Sequence, residues 1–119
     1  MIADEITAHE AEDDPRNQHI LIYVDGKIVP RSEAKVSVYD SGFMLGDGVW
    51  EGLRFYNGTW AFLDEHINRL YEAAKAIDLD INLNEVELIA ALEKTRLANR
   101  ITKDAHARVM VTRGIKARP

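Results

Sequence analysis

Two arginines, Arg54 and Arg69, are the side chains in this 119-residue sequence best suited to chemistry. A guanidinium presents a planar fork of N–H donors that matches a phosphate or a carboxylate. Arg54 follows Trp50 and Gly52 at alternating positions of a predicted strand, so the three residues share one face. Because Gly52 has no side chain, it should leave a dent between the aromatic ring of Trp50 and the cation of Arg54. This pattern predicts an anion site. Alternatively, Gly52 marks a β-bulge and Arg54 pairs with a surface acid.

Arg69 also has two interpretations. It falls between the apolar positions Ile67 and Leu70 of a predicted helix, so we expect it to be partly buried and to need a counter-charge. An external anion fits the guanidinium fork. The alternative is an ion pair with Glu65 or Glu72, at helical spacings of four and three residues. The residues alone leave both possibilities open.

A third candidate group lies on a later predicted strand, where His106 and Arg108 share one face. Together they could orient a carboxylate, although a lone histidine on a strand is more often structural. His66, beside the start of a predicted helix, is expected to be a cap or packing residue. The histidines lack metal-ligand spacing and there is no cysteine, so no metal site is predicted. No lysine sits in an apolar setting that would activate it as a nucleophile.

The elements that must position these residues follow from turn signals and periodicity. Two hairpins are predicted, around Asp25-Gly26 and Asn57-Gly58. A short strand is predicted at Lys35–Tyr39 and a glycine-rich loop at Asp40–Gly48. Two helices follow, one capped by Asp64 and the other by Asn84, and a last strand covers Ala105–Thr112. The predicted fold class is α+β, a mostly antiparallel sheet of about six strands with two helices on one face.

The net charge of −5 is concentrated in residues 1–19, whose acids face only one base, Arg16. We expect this acidic tail to be disordered and residues 20–119 to form one domain. The basic residues from Lys94 onward lack interleaved aromatics, so no nucleic-acid partner is predicted. No apolar run approaches the roughly 18 residues of a membrane span, and the amino terminus is acidic where a signal peptide would be basic, so neither is expected. A cytoplasmic protein is expected.

Two motifs resemble one family. The first runs from Ser37-Val-Tyr-Asp-Ser-Gly-Phe through Gly46-Asp-Gly-Val-Trp-Glu-Gly to Arg54. The second is Glu65-His-Ile-Asn-Arg-Leu. The combination resembles the class IV aminotransferases, the fold-type IV pyridoxal-phosphate enzymes, across roughly Ile20 to Arg118. These include branched-chain and D-amino-acid aminotransferases, (R)-amine transaminases and aminodeoxychorismate lyase. The resemblance implies the family's small N-terminal domain, pyridoxal 5′-phosphate as cofactor and a homodimer.

The resemblance also implies what this chain does not supply. A strand and turn run up to Pro119 without an evident partner, which suggests a sequence cut from something longer. In the family, the lysine that bonds the cofactor and the glutamate at its pyridine nitrogen belong to a second, larger domain. No catalytic residue is therefore expected within the chain, and the chain alone is expected to be inactive.

Individual roles carry over by position. Arg69 resembles the arginine that binds the cofactor phosphate, and Trp50 matches a residue lining the substrate pocket. Gly52 and Arg54 match residues typical of the branched-chain members. The same members have an arginine at the position of Arg108.

Other positions point elsewhere. His106 departs from the tyrosine of the branched-chain members, and Arg118 resembles the carboxylate-binding arginine of D-amino-acid aminotransferase. Branched-chain or other apolar L-amino acids, paired with a 2-oxo acid, are the favoured substrates. D-amino acids or (R)-amines, then the lyase, are alternatives within the family. A non-catalytic anion-binding or dimerisation module is the alternative from another class.

Overall fold

The structure is a computed structural model that describes residues 14–115. Within that range the chain forms two compact units, residues 14–35 and residues 36–115. The first thirteen residues of the predicted acidic tail and Arg118 lie outside the described range. Among residues 14–115, no helix is long and apolar enough to cross a membrane.

The first unit contains the first predicted hairpin. Strands β1 (Leu21–Val24) and β2 (Lys27–Pro30) pair in antiparallel register. Asp25 and Gly26 join them with φ values of 48° and 86°, the left-handed conformation that an Asp-Gly turn adopts readily. The hairpin prediction is confirmed. A 3₁₀ helix at Pro15–Asn17 precedes β1, within the segment that was expected to be disordered.

The second unit opens differently from the prediction. Residues 35–39 do not form the expected third strand, and Asp40 makes only an isolated bridge. The predicted loop Asp40–Gly48 contains a short helix, α1 (Ser41–Leu45). The Asp40 side chain caps it by accepting a hydrogen bond from the Gly42 amide at 2.7 Å, and Gly46 ends it with φ 67°. The composition marked a turn, but these capping contacts close one helical turn within it.

The central sheet is three-stranded, with β3 (Gly48–Tyr56) between β4 (Thr59–Trp60) and β5 (Asp104–Thr112), all antiparallel. The second hairpin is therefore confirmed, although its second strand, predicted at Thr59–Leu63, stops at Trp60 and the next helix begins at Leu63. In residues 14–115 the strands number five in two sheets, where about six were predicted. The missing strand is the one expected at residues 35–39.

Two long helices follow, α2 (Leu63–Ala76) and α3 (Glu85–Ala98). The predicted Asp64 cap is wrong: Phe62, with φ 54°, precedes α2, and Asp64 lies in the first turn, where its charge favours the helix dipole. The Asn84 cap of α3 is confirmed. Its side chain accepts from the Glu87 amide at 2.8 Å while Glu87 accepts from the Asn84 amide at 3.0 Å, a reciprocal capping box.

The core lies between one face of the central sheet and both long helices, as the α+β prediction requires. The strand alternation is confirmed because odd residues 49–55 of β3 are buried and the even ones are exposed or half-exposed. Helix α2 contributes a stripe at steps of three and four residues. The buried apolar cluster comprises Val49, Ile67, Leu70, Ala74, Leu79 and Leu88.

Replacing Leu70 by alanine should lower the free energy of unfolding by about 2–5 kcal/mol, because the fully buried side chain leaves a cavity. Leu97→Ala is the matched control. Its side chain on α3 is exposed, so the cost should be within about 0.5 kcal/mol. Urea unfolding followed by circular dichroism measures both, and equal costs would contradict this placement of the core.

Candidate functional site

A buried carboxylate lies at the centre of the candidate site. Glu51 occupies a core-facing position of β3 between Val49 and Leu53 and is 8% exposed. An ionised carboxylate removed from water needs compensating donors. No role was predicted for this residue from the sequence. The available signal was a charged residue at an apolar position of the alternating pattern.

Arg69 supplies two of those donors from α2. Its Nε donates to Glu51 Oε2 at 2.8 Å and its Nη2 donates to Oε1 at 2.7 Å, a bidentate pair. Two expectations are corrected. The Arg69 side chain is 66% exposed, where partial burial was expected, because only its donor edge reaches inward. Its partner is on the neighbouring strand, not Glu65 or Glu72 of its own helix.

His66, one helical turn before Arg69, supplies the third contact. Its Nδ1 lies 2.6 Å from Glu51 Oε1. An ionised carboxylate can only accept, so Nδ1 must carry the proton and donate. The 3.3 Å separation between Arg69 Nη2 and the same nitrogen is then a contact between two donors. His66 was expected to cap or pack; it instead belongs to a group with Glu51 and Arg69, named here the Glu51 cluster.

The electrostatics of the Glu51 cluster keep its ion pair charged. Hydrogen bonding by Arg69 lowers the pKa of Glu51 to about 2, aided by His66 and opposed by burial. Hydrogen bonding to Glu51 in turn raises the pKa of Arg69 above its ordinary value. Both groups therefore remain ionised at neutral pH.

Arg69 retains capacity for a further ligand. Its Nη1 has no hydrogen-bond partner among residues 14–115, and its side chain is open to solvent. A guanidinium carries five N–H donors, and Glu51 uses only the Nε–Nη2 edge. The cluster can therefore present a fixed cationic edge to an anion.

The opposite face of the sheet carries the other predicted residues. Arg108 stacks on Trp50 with its guanidinium carbon 4.2 Å from the ring centroid, and it lies opposite Gly52 in the strand register. Gly52 is not at a bulge, since the β3–β5 register is continuous through it. A Cβ there would lie 3.1 Å from Cε1 of His106, so the expected dent is occupied by the His106 ring.

Arg54 is the least restrained of these cations. Its guanidinium lies 4.8 Å from the Tyr56 ring centroid, and its Nη2 donates to Asp104 at 3.5 Å. Because the Arg54 and Asp104 side chains are each 59% exposed, this pair is weak. The surface-acid alternative for Arg54 is thus present but does not withdraw its charge from solvent.

The structure therefore separates the predicted site residues into two groups. Trp50, Gly52, Arg54, His106 and Arg108 come together on the solvent-facing side of β3 and β5. Arg69 joins the Glu51 cluster on the helix-covered side. Arg118 lies outside the described residues. Over residues 14–115, no group of three or more histidine, aspartate or glutamate side chains could hold a metal ion.

The domain is an antiparallel sheet backed by two helices, of the α+β class. Arg69 is bound to Glu51 on one side of the sheet, and an aromatic and cationic surface covers the other, so both sides carry groups suited to anionic ligands. The family model for "Amino-transferase class IV" matches residues 48–119, and the chain belongs to that family. The resemblance drawn from the two motifs is confirmed.

Curated relatives carry two kinds of name. The chain is 47% identical over 94 residues to a putative branched-chain-amino-acid aminotransferase of Methanocaldococcus jannaschii, covering 79% of this chain and 32% of the relative. It is 40% identical over 93 residues to D-alanine aminotransferase of Bacillus licheniformis, covering 78% and 32%. The chain thus spans about a third of the length of these relatives.

Solved structures agree in fold. The branched-chain aminotransferase of the thermophilic archaeon Thermoproteus uzoniensis, crystallised with norvaline, superposes with a TM-score of 0.71 at 34% identity. The match covers 79% of this chain and 33% of that one. The branched-chain amino acid aminotransferase of Escherichia coli gives a TM-score of 0.75 at 27% identity, covering 81% and 34%.

The depressed pKa of Glu51 predicts a specific acid response. A carboxyl whose pKa is lowered by folding stabilises the native state above its unfolded pKa, and that contribution is lost as pH falls toward about 2. Glu51→Gln removes the titrating group. Between pH of about 4.5 and 2, its unfolding free energy should therefore fall less steeply than that of the wild type, by up to about 1.4 kcal/mol per pH unit. Urea unfolding across this range measures the slopes, and parallel slopes would contradict the assignment.

Proposed function

We propose that residues 20–119 are the N-terminal domain of a pyridoxal-phosphate-dependent aminotransferase, and that Arg69 binds the cofactor phosphate. The supporting observation is the Glu51 cluster. Two short hydrogen bonds hold one edge of the Arg69 guanidinium while Nη1 stays unpaired within the described chain. A phosphate accepts hydrogen bonds and carries negative charge, so it fits this edge.

Arg69 alone does not provide enough hydrogen-bond donors and charge for a phosphate. Glu51 offsets much of the charge of Arg69, so this ion pair is close to neutral. A phosphate dianion therefore requires further donors besides Arg69. This requirement agrees with a chain that spans about a third of its curated relatives. The lysine that would bond the cofactor is likewise expected beyond Pro119.

When bound, pyridoxal phosphate would supply an electron sink for the bond broken at the amino-bearing carbon of the substrate. The chain's own residues would bind and orient. Arg69 would hold the phosphate, and the surface of Trp50, Gly52, Arg54, His106 and Arg108 would form part of the substrate pocket. On that surface, Arg108 stacked on Trp50 combines a carboxylate-binding cation with an apolar wall.

Branched-chain or other apolar L-amino acids are the proposed amino donors, with a 2-oxo acid as acceptor. The support is the 47% identity to a relative named for branched-chain amino acids and the exposed Trp50 and Met110 side chains, paired in the strand register. The D-amino-acid alternative rests on the 40% identity to D-alanine aminotransferase. The homodimer and the cytoplasmic location also remain predictions.

Arg69→Ala should weaken pyridoxal phosphate binding because it removes the proposed phosphate ligand. It should also destabilise the fold by about 1–4 kcal/mol, since Glu51 is left buried without its main donor. Arg100→Ala is the matched control: it removes the same charge from an exposed position. Fluorescence titration well below each variant's unfolding temperature measures the affinity. Equal affinities for both variants would contradict a phosphate role for Arg69.

The substrate proposal is tested with the product of the complete coding sequence in which this chain lies. That protein should transaminate L-valine faster than D-alanine, as measured by formation of the corresponding 2-oxo acids. The 119-residue chain should show no turnover, because no catalytic lysine is assigned within it. Preference for D-alanine would favour the alternative donor, and turnover by the chain alone would contradict the division of roles.

A further inference from the structure

The geometry points to Glu51 as a positioning residue that fixes the Arg69 guanidinium by its Nε–Nη2 edge, so that an anion is bound through Nη1. The inference rests on the proposed function, since it concerns the same phosphate site. It adds a residue that neither the motifs nor the comparisons assign. It also specifies which edge of the arginine is used.

The bidentate bond determines the orientation of the guanidinium. Donation at 2.8 Å and 2.7 Å to two oxygens of one carboxylate fixes both the position and the plane of the group. Glu51 can hold the guanidinium in a fixed position because its own side chain is buried among strand residues of the core face. Its Oε1 is held in addition by His66 at 2.6 Å.

This fixation matters because the rest of Arg69 is exposed. A long side chain that is 66% exposed would otherwise sample many rotamers. Immobilising such a side chain during binding carries an entropic cost, which preorganisation removes. The Glu51 cluster therefore prepares Arg69 before the anion arrives.

Glu51 also acts in the opposite direction through its charge. A carboxylate beside the guanidinium repels an incoming anion, so orientation favours binding while charge disfavours it. Two substitutions separate these effects. Glu51→Asp keeps the charge but is one methylene too short to reach both donors. Glu51→Gln keeps the length and one acceptor but removes the charge.

The test measures the dissociation constants of inorganic phosphate and of pyridoxal 5′-phosphate for the product of the complete coding sequence in which this chain lies, following the Arg69 Nε–H signal by NMR. Glu51→Asp should weaken both affinities about threefold to tenfold and broaden the Nε–H signal, as expected for a released side chain. Glu51→Gln should bind both anions more tightly than Glu51→Asp, because it keeps the length and one of the two acceptors and removes the repelling charge. Wild-type affinity in a folded Glu51→Asp variant would overturn the positioning role.

A second pair of variants covers the case in which Glu51→Asp does not fold. His66→Ala removes the donor that holds Glu51, whereas His66→Asn keeps an N–H close to the position of Nδ1. The alanine variant should weaken phosphate binding and the asparagine variant should restore it. A merely structural histidine would change stability in both and leave the affinity of the folded protein unaltered, which would overturn the inference.

Arg69→Ala, measured in parallel, separates the two proposals. If it weakens binding while the Glu51 and His66 variants do not, Arg69 binds the anion without being positioned, and only the further inference fails. If wild type and Arg69→Ala bind phosphate equally, Arg69 is no anion ligand. The proposed function and the positioning role then fail together.

Discussion

The pairing of the buried Glu51 carboxylate with the Arg69 guanidinium is the contact on which the rest of the site depends. It joins the central strand β3 to helix α2, so it ties the sheet to the element that packs against it. Its position follows from the core. Ile67 and Leu70 bury one stripe of α2, and Arg69, just before Leu70, lies beside the strand at the level of Glu51. If Arg69 binds the phosphate as proposed, stability and ligand binding share one set of hydrogen bonds, and a change at either residue should affect both.

The two faces of β3 carry different side chains. On the helix-covered face, apolar residues form the core and the Glu51 carboxylate holds the Arg69 guanidinium. On the solvent face, Trp50 and Arg108 stack and His106 fills the space above Gly52. In the proposed function, alternation along one strand would supply both the phosphate contact and the substrate-facing surface without any additional element. The domain would hold and orient ligands, while the bond-making group is expected from elsewhere in the protein.

Local chemistry made much of the fold predictable. Asp-Gly and Asn-Gly turns, the alternation of β3 and the Asn84 cap depend on near neighbours, and each was confirmed. The errors arose where a local signal was weak or ambiguous. Residues 35–39 have strand-forming composition but no partner strand. The N-cap position of α2 is occupied by Phe62, although Asp64 is the better capping residue by type.

The partner of Arg69 illustrates the limit of local reasoning. Glu65 and Glu72 were considered because helical spacing makes them neighbours, whereas Glu51 is eighteen positions away and meets Arg69 only through packing of α2 on the sheet. A charged residue at a core position of β3 was the one trace of this contact in the sequence. The most direct test is a crystal structure of the complete protein with pyridoxal phosphate. A phosphate oxygen should lie about 2.7–2.9 Å from Arg69 Nη1 with both bonds to Glu51 intact. A phosphate bound without Arg69, or reached only after Arg69 leaves Glu51, would contradict the proposed role of the pair.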